Sequence, residues 1–162
     1  MAATLTLRVY TSVQPGTQSA AVTGIDFISA DNATNTLANR QSNPITVGTR
    51  SYEKWLALRV DTAPSNSVAN FKIWGDGSVM ASSTLWFTTG MSTYSTATAA
   101  SSSWANTSFN GFTSNYKGTW DSGWYFSTGS VTKFTVFQLE IGSDASPGNW
   151  TQETINYSYD ET

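Results

Sequence analysis

Apolar and polar residues alternate in short runs along the chain, and the first run is the plainest. In Thr4-Leu5-Thr6-Leu7-Arg8-Val9-Tyr10 the side chains of Leu5, Leu7 and Val9 fall on one face, with Thr6 and Arg8 on the other, the two-residue period of a half-buried strand. Pro15-Gly16 ends it. Gly24 to Ala30, carrying Ile25, Phe27 and Ile28, predicts a second short strand, and the polar stretch Asp31-Asn32-Ala33-Thr34-Asn35 opens a loop over residues 31–44. Ser51 to Asp61 carries the strongest strand pattern, with Tyr52, Leu56, Leu58 and Val60 on one face against Glu53, Trp55, Ala57 and Arg59.

Ala63-Pro64-Ser65-Asn66 reads as a turn, Asn70 to Trp74 as a short strand ending at Gly75-Asp76-Gly77, and Thr84-Leu85-Trp86-Phe87-Thr88 as another. From Met91 the chain turns to Ser, Thr and Ala around the isolated aromatics Tyr94 and Trp104, with neither period sustained. A stretch of that length inside a compact domain is usually functional or mobile, so 91–118 is expected to be a long loop or contact arm. Thr119 to Ser127 predicts a strand interrupted by a bulge or tight turn at Asp121-Ser122-Gly123. In Lys133 to Ile141 both parities are apolar, Phe134 and Val136 on one and Phe137, Leu139 and Ile141 on the other, which marks a central strand covered on both faces. Ala145-Ser146-Pro147-Gly148 is a turn, and Gln152 to Asp160 closes with Ile155, Tyr157 and Tyr159 alternating against polar residues.

Seven to nine short strands with turn signals between them, and no helical period of any length, predict one all-β domain over 1–162: an antiparallel two-sheet sandwich, a jelly roll first and an immunoglobulin-like sandwich as the alternative. Composition supports this. Thr, Ser, Val and aromatic residues replace the usual helix formers, and with 14% aromatic against 12% charged residues the chain has large side chains to bury. The 162 residues suffice for one such core.

The chain has no cysteine and no histidine. Those absences exclude disulfides, Ser-His-Asp and Cys-His nucleophile systems, and imidazole or thiolate metal sites. Eight basic against eleven acidic residues, with no basic run, leave no footprint for nucleic acid. No stretch approaches the length of apolar sequence that crosses a membrane, and the opening Met1-Ala2-Ala3-Thr4 lacks the marks of a signal peptide, so neither membrane nor secretion is expected.

Carboxylates remain as the only catalytic acids, namely Glu53, Glu140, Glu153 and Asp26, and two of them across a cleft could serve glycoside hydrolysis. Outward glutamates on strands more commonly protect edges, so no catalytic residue is assigned. Asp31-Asn32, Asp76-Gly77 and Asp121-Ser122-Gly123 offer oxygens suited to calcium but are ordinary turn residues too, and Gly75-Asp76-Gly77 lacks the lysine of a phosphate loop; no metal or cofactor is expected. Trp55, Trp74 and Trp86 could form a platform on which sugar rings stack, although core or interface is the commoner use of such rings. The acceptor patterns at Asn32, Asn106, Asn149 and Asn156 arise readily in a chain rich in Asn, Ser and Thr.

The stretches Gly24-Ile25-Asp26-Phe27-Ile28-Ser29-Ala30-Asp31, Ser51-Tyr52-Glu53-Lys54-Trp55, and Pro147-Gly148 leading into Glu153-Thr154-Ile155-Asn156-Tyr157-Ser158-Tyr159-Asp160-Glu161 resemble small virion-associated structural proteins of tailed bacteriophages. The resemblance implies a non-enzymatic structural protein located in the virion, such as a capsid decoration or cement protein, or a small tail component. Its partners are then copies of itself, as a trimer, and the major capsid protein or another virion protein. The N-terminal residues or 91–118 are expected to grip the neighbours. A carbohydrate-binding module or tail-associated host-glycan adhesin is the alternative.

Overall fold

The computed structural model describes residues 2–14, 16–33, 36–76, 82–100, 104–115, 117–146 and 153–162. It is an antiparallel sandwich of a six-stranded and a three-stranded sheet. The larger sheet contains β1 (Thr4–Thr11), β2 (Thr17–Gln18), β3 (Lys54–Thr62), β5 (Ser83–Met91), β6 (Thr107–Ser108) and β8 (Phe134–Ile141), in the order β2-β1-β3-β8-β5-β6. The smaller contains β4 (Val68–Gly75), β7 (Gly118–Asp121) and β9 (Ile155–Glu161), in the order β7-β4-β9. From β3 to β9 consecutive long strands alternate between the sheets.

Alternation decides what lies between the sheets. Leu5 and Val9 of β1, Leu56, Leu58 and Val60 of β3, Leu85 and Phe87 of β5, and Phe137, Leu139 and Ile141 of β8 meet Val68, Phe71 and Ile73 of β4 and Trp120 of β7 in one apolar core. Ile155, Tyr157 and Tyr159 of β9 close it from the edge, as their spacing predicts. Phe109, in a 3-10 turn at Phe109–Gly111, wedges its ring against Phe87 (5.0 Å) and Phe137 (5.1 Å). The larger sheet ends in two-residue strands on both sides, which leaves little free edge for pairing with another chain.

β8 lies between β3 and β5 and is buried on both faces, as its double parity predicts. Its outer cover is the segment expected to be an arm. β5 runs on to Met91, and the described residues of 92–106 fold back over the outside of the larger sheet, where Tyr94, Ala97 and Ala105 bury Trp55 and Val136 in a second apolar cluster. The arm is therefore a lid on its own sheet. The lid is fastened at Gly16, whose φ of +85° and missing Cβ admit the Tyr94 ring at 2.8 Å from where a Cβ would lie. The Tyr94 hydroxyl donates to the Ser12 carbonyl at 2.6 Å, and Gln14 Nε2 donates to the Tyr94 carbonyl at 2.8 Å.

Two expectations fail. Gly24 to Ala30 forms no strand: Ile28 is buried and Ile25 and Phe27 pack on the core, but the backbone bonds to loops, Tyr52 N–H donating to the Ile28 carbonyl and Ser29 N–H to that of Asn43. The segment crosses the sheet margin instead of joining a ladder. The loop expected over 31–44 contains a helix, α1 (Leu37–Ser42), started by Thr36, whose hydroxyl accepts from Asn39 N–H at 3.2 Å. Thr119 to Ser127 divides as its turn signal predicts, into β7 and a separate bridge in which Tyr125 exchanges both backbone hydrogen bonds with Val68. Pro15, Thr34, Asn35 and Gly77, the second half of the turn at 145–148 and the acceptor pattern at Asn149 lie outside the described residues.

Candidate functional site

The three tryptophans proposed as a sugar platform do not share a surface. Trp55 is wholly buried beneath the lid, its Nε1 donating to Glu53 Oε2 at 3.2 Å. Trp86 lies on the outer face of the larger sheet, under the Arg50 guanidinium at 5.1 Å, and donates to Glu140 Oε2 at 2.7 Å. Trp74 follows the core residue Ile73 on β4 and so points from the outer face of the smaller sheet, on the opposite side of the molecule.

The candidate carboxylates are equally dispersed. Glu53 is buried, accepting from Trp55 and from Thr98 N–H at 3.3 Å. Glu140 is held by Arg50 at 2.7 Å. Asp26 pairs with Arg40 at 3.0 Å. Glu153 stands just before β9, beside the smaller sheet, whereas Glu53 precedes β3 and Glu140 lies on β8 of the larger.

The calcium candidates differ in how their oxygens are engaged. Asp31 Oδ2 accepts from Ser12 N–H at 2.8 Å while its buried Oδ1 has no hydrogen-bond partner among the described residues, and the others are held from within. Asp121 is buried and accepts from Gly123 N–H (2.8 Å), the Tyr125 hydroxyl (2.5 Å) and Lys133 N–H (2.7 Å). Burial, and then this hydrogen bond, pushes the Tyr125 phenol above its ordinary range. Asp76 Oδ2 accepts from Thr154 N–H at 3.1 Å. At Asp31-Asn32 a side-chain cation takes the part a metal would play: the buried Lys54 ammonium donates to the carbonyls of Ala30 (3.1 Å) and Asn32 (2.9 Å). Its desolvation lowers the pKa to about 8 in spite of Asp31 and Asp26 nearby. Among the described residues no three carboxylate, imidazole or thiolate groups come together.

Glu153, just before β9, is half-buried. Its Oε1 lies 2.5 Å from where a Cβ on Gly75 would stand, so the carboxyl rests against the bare backbone of that glycine. Burial, and then the Asp76 charge, pushes its pKa up to about 7. Because the folded protein holds this proton more tightly than the unfolded chain, the stability it contributes is present at pH 4.5 and is lost as pH rises through 7. Glu153→Gln is therefore expected to flatten this part of the profile and to raise the melting temperature by a few degrees at pH 8 but not at pH 5. Thermal melts of both proteins at the two pH values test it; parallel profiles contradict it.

Two surfaces remain for contact with other molecules. The first is the Tyr125 bridge. Tyr125 packs inward against Phe71 at 5.7 Å, so its neighbours Trp124 and Phe126 project to the other side, where they are 60% and 58% exposed. Both rings are held out by a segment pinned through Val68 and Asp121. Sequence reading missed this pair because three consecutive aromatics look like core, whereas an extended backbone can turn only the middle ring inward. The second surface is the outer face of the smaller sheet around Trp74. A shallow cleft of about 230 Å³ between β5 and β7, with Phe87 and Phe112 among its walls and threonines at its rim, is small for a ligand site.

No protein-family model, curated protein or solved structure matches this chain, so its fold and surfaces alone carry the functional reading.

Proposed function

We propose that this chain is a non-enzymatic structural protein of a bacteriophage particle, a capsid decoration or cement protein that acts by docking. The observation that carries this reading is the Trp124 and Phe126 pair, large apolar rings presented to solvent by a rigid backbone. Exposed aromatics so placed are the anchors that dominate protein interfaces, where each central ring commonly contributes 2 kcal/mol or more on the order of magnitude. The engaged carboxylates and the lack of histidine and cysteine fit a protein that holds its neighbours and transforms nothing. Compact sandwiches repeated over a shell share stability through symmetric contacts, here assigned to trimers seated on the major capsid protein or another virion protein.

The test mixes purified protein with empty shells. Co-sedimentation and a raised shell melting temperature are expected. The double variant Trp124→Ser, Phe126→Ser should weaken binding by roughly 30-fold or more while its own melting temperature stays unchanged. A protein that neither sediments with shells nor stabilises them removes the proposal. The alternative, a carbohydrate-binding module or tail-associated host-glycan adhesin, draws support from one place, the Trp74 face.

A further inference from the structure

The outer face of the smaller sheet has an unusual distribution of charge. All four arginines, Arg8, Arg40, Arg50 and Arg59, are ion-paired, and Lys54 is buried against carbonyl oxygens. Of the three lysines left among eight basic residues, Lys72 and Lys117 stand together on this one face. Lys72 Nζ donates to Thr119 Oγ1 at 3.1 Å, and Lys117 Nζ sits 4.2 Å above the Trp74 ring. Among the described residues no carboxylate lies within ion-pair distance of either. Two carboxylates lie near this pair, each hydrogen-bonded within the chain: Asp76, two residues past Trp74, accepts from Thr154 N–H at 3.1 Å, and Asp160, farther along the face, accepts from Asn70 Nδ2 at 2.8 Å.

Register places the other groups. Trp74 is opposite Asn156, and Lys72 is opposite Thr119 on one side and Ser158 on the other. Ile73, Gly118 and Tyr157 turn inward at the intervening positions, so the six outward side chains form two rows, Lys117-Trp74-Asn156 and Thr119-Lys72-Ser158, with about 4.8 Å between strands.

The geometry points to this face as a binding site for an acidic saccharide, a sugar chain carrying carboxylate or sulfate groups. Trp74 is half-buried and therefore fixed, and it supplies the flat apolar wall against which the C–H face of a sugar ring packs. Asn156, Ser158 and Thr119 add short polar side chains around it, Thr119 Oγ1 accepting from Lys72 and Asn156 Nδ2 donating to the Thr154 carbonyl. The two lysines supply the positive charge that selects an acid over a neutral sugar. Lys117 now rests on the indole; a carboxylate beside the ring replaces that weak cation–π contact with an ion pair, so the ammonium need move only from ring to ligand. A nucleic acid is a poor match, since two lysines on a chain of formal charge −3 neutralise too few phosphates for useful affinity. This inference is independent of the docking role, and shell binding and saccharide binding use different residues.

The test titrates the full chain with tetragalacturonate and with its methyl ester, which has the same skeleton without the charge, by calorimetry at low and at physiological salt. The acid is expected to bind roughly tenfold more tightly than the ester, with the difference shrinking as salt rises. Lys72→Gln with Lys117→Gln should reduce the acid to the level of the ester, and Trp74→Ala should abolish both. The lysine variants change only surface groups, so they decide the matter even if the tryptophan variant unfolds. Equal affinity for acid and ester, no binding of either, or full affinity in the double glutamine variant overturns the assignment.

Discussion

Asp121→Ala is expected to lower stability by about 3–5 kcal/mol, the largest loss at any polar position, because three donors close on this buried carboxylate. The backbone N–H groups of Gly123 and Lys133 cannot turn to find another acceptor, and the Tyr125 hydroxyl would be left without its partner as well. These three contacts tie the end of β7 to the approach to β8 and to the Tyr125 bridge, so their loss should lower the melting temperature by roughly 10 °C or more. Tyr125→Phe removes one of the three and should cost about 1–2 kcal/mol. Urea unfolding of both variants gives the comparison. An alanine variant within about 1 kcal/mol of the parent would show that water replaces the carboxylate, and the reading of Asp121 as an internal fastener would fall.

The second large effect belongs to Trp55→Ala. The indole is completely buried between β3 and the lid, edge-on to Tyr94 (5.3 Å), Phe134 (5.8 Å) and Trp104 (6.0 Å). Truncation leaves a void and removes a donor from the buried Glu53, so a loss of about 3–5 kcal/mol is expected. The location of the damage is the sharper test. Amide exchange should accelerate across 92–100 while β1 and β9 keep their protection relative to global stability. Uniform acceleration over the chain would mean that the lid has no independent attachment.

Both effects sit where the sequence was only half legible. The paired parities of Lys133 to Ile141 identified a strand buried on both faces, and that is β8. The same logic applied to Ser51 to Asp61 left Trp55 on a polar face, because the cover that buries it comes from Ser/Thr/Ala-rich residues whose small side chains carry no period of their own. Gly24 to Ala30 has the apolar residues of a strand, but burial of Ile28 needs only an extended backbone against the core margin, and composition cannot tell that from a ladder. α1 is hidden because a six-residue helix with no buried residue has no apolar face to announce it; its start depends on one Thr36 hydroxyl. The candidate surfaces were the least legible. Lys72 and Lys117 are far apart in sequence and become neighbours only through the pairing of β4 with β7, and the exposure of Trp124 and Phe126 follows from the inward turn of Tyr125.

The weaving of consecutive strands between the layers has a consequence for how the molecule comes apart. A cut in any connection between Gly75 and Phe134 leaves each fragment with part of both sheets and a complete version of neither, so no fragment owns a closed apolar interior. Such a chain opens as one cooperative unit, with its midpoint the same by fluorescence, circular dichroism and proteolysis. Its ladders join residues distant in sequence, β1 with β3 and β3 with β8, so it assembles slowly and, once assembled, yields slowly.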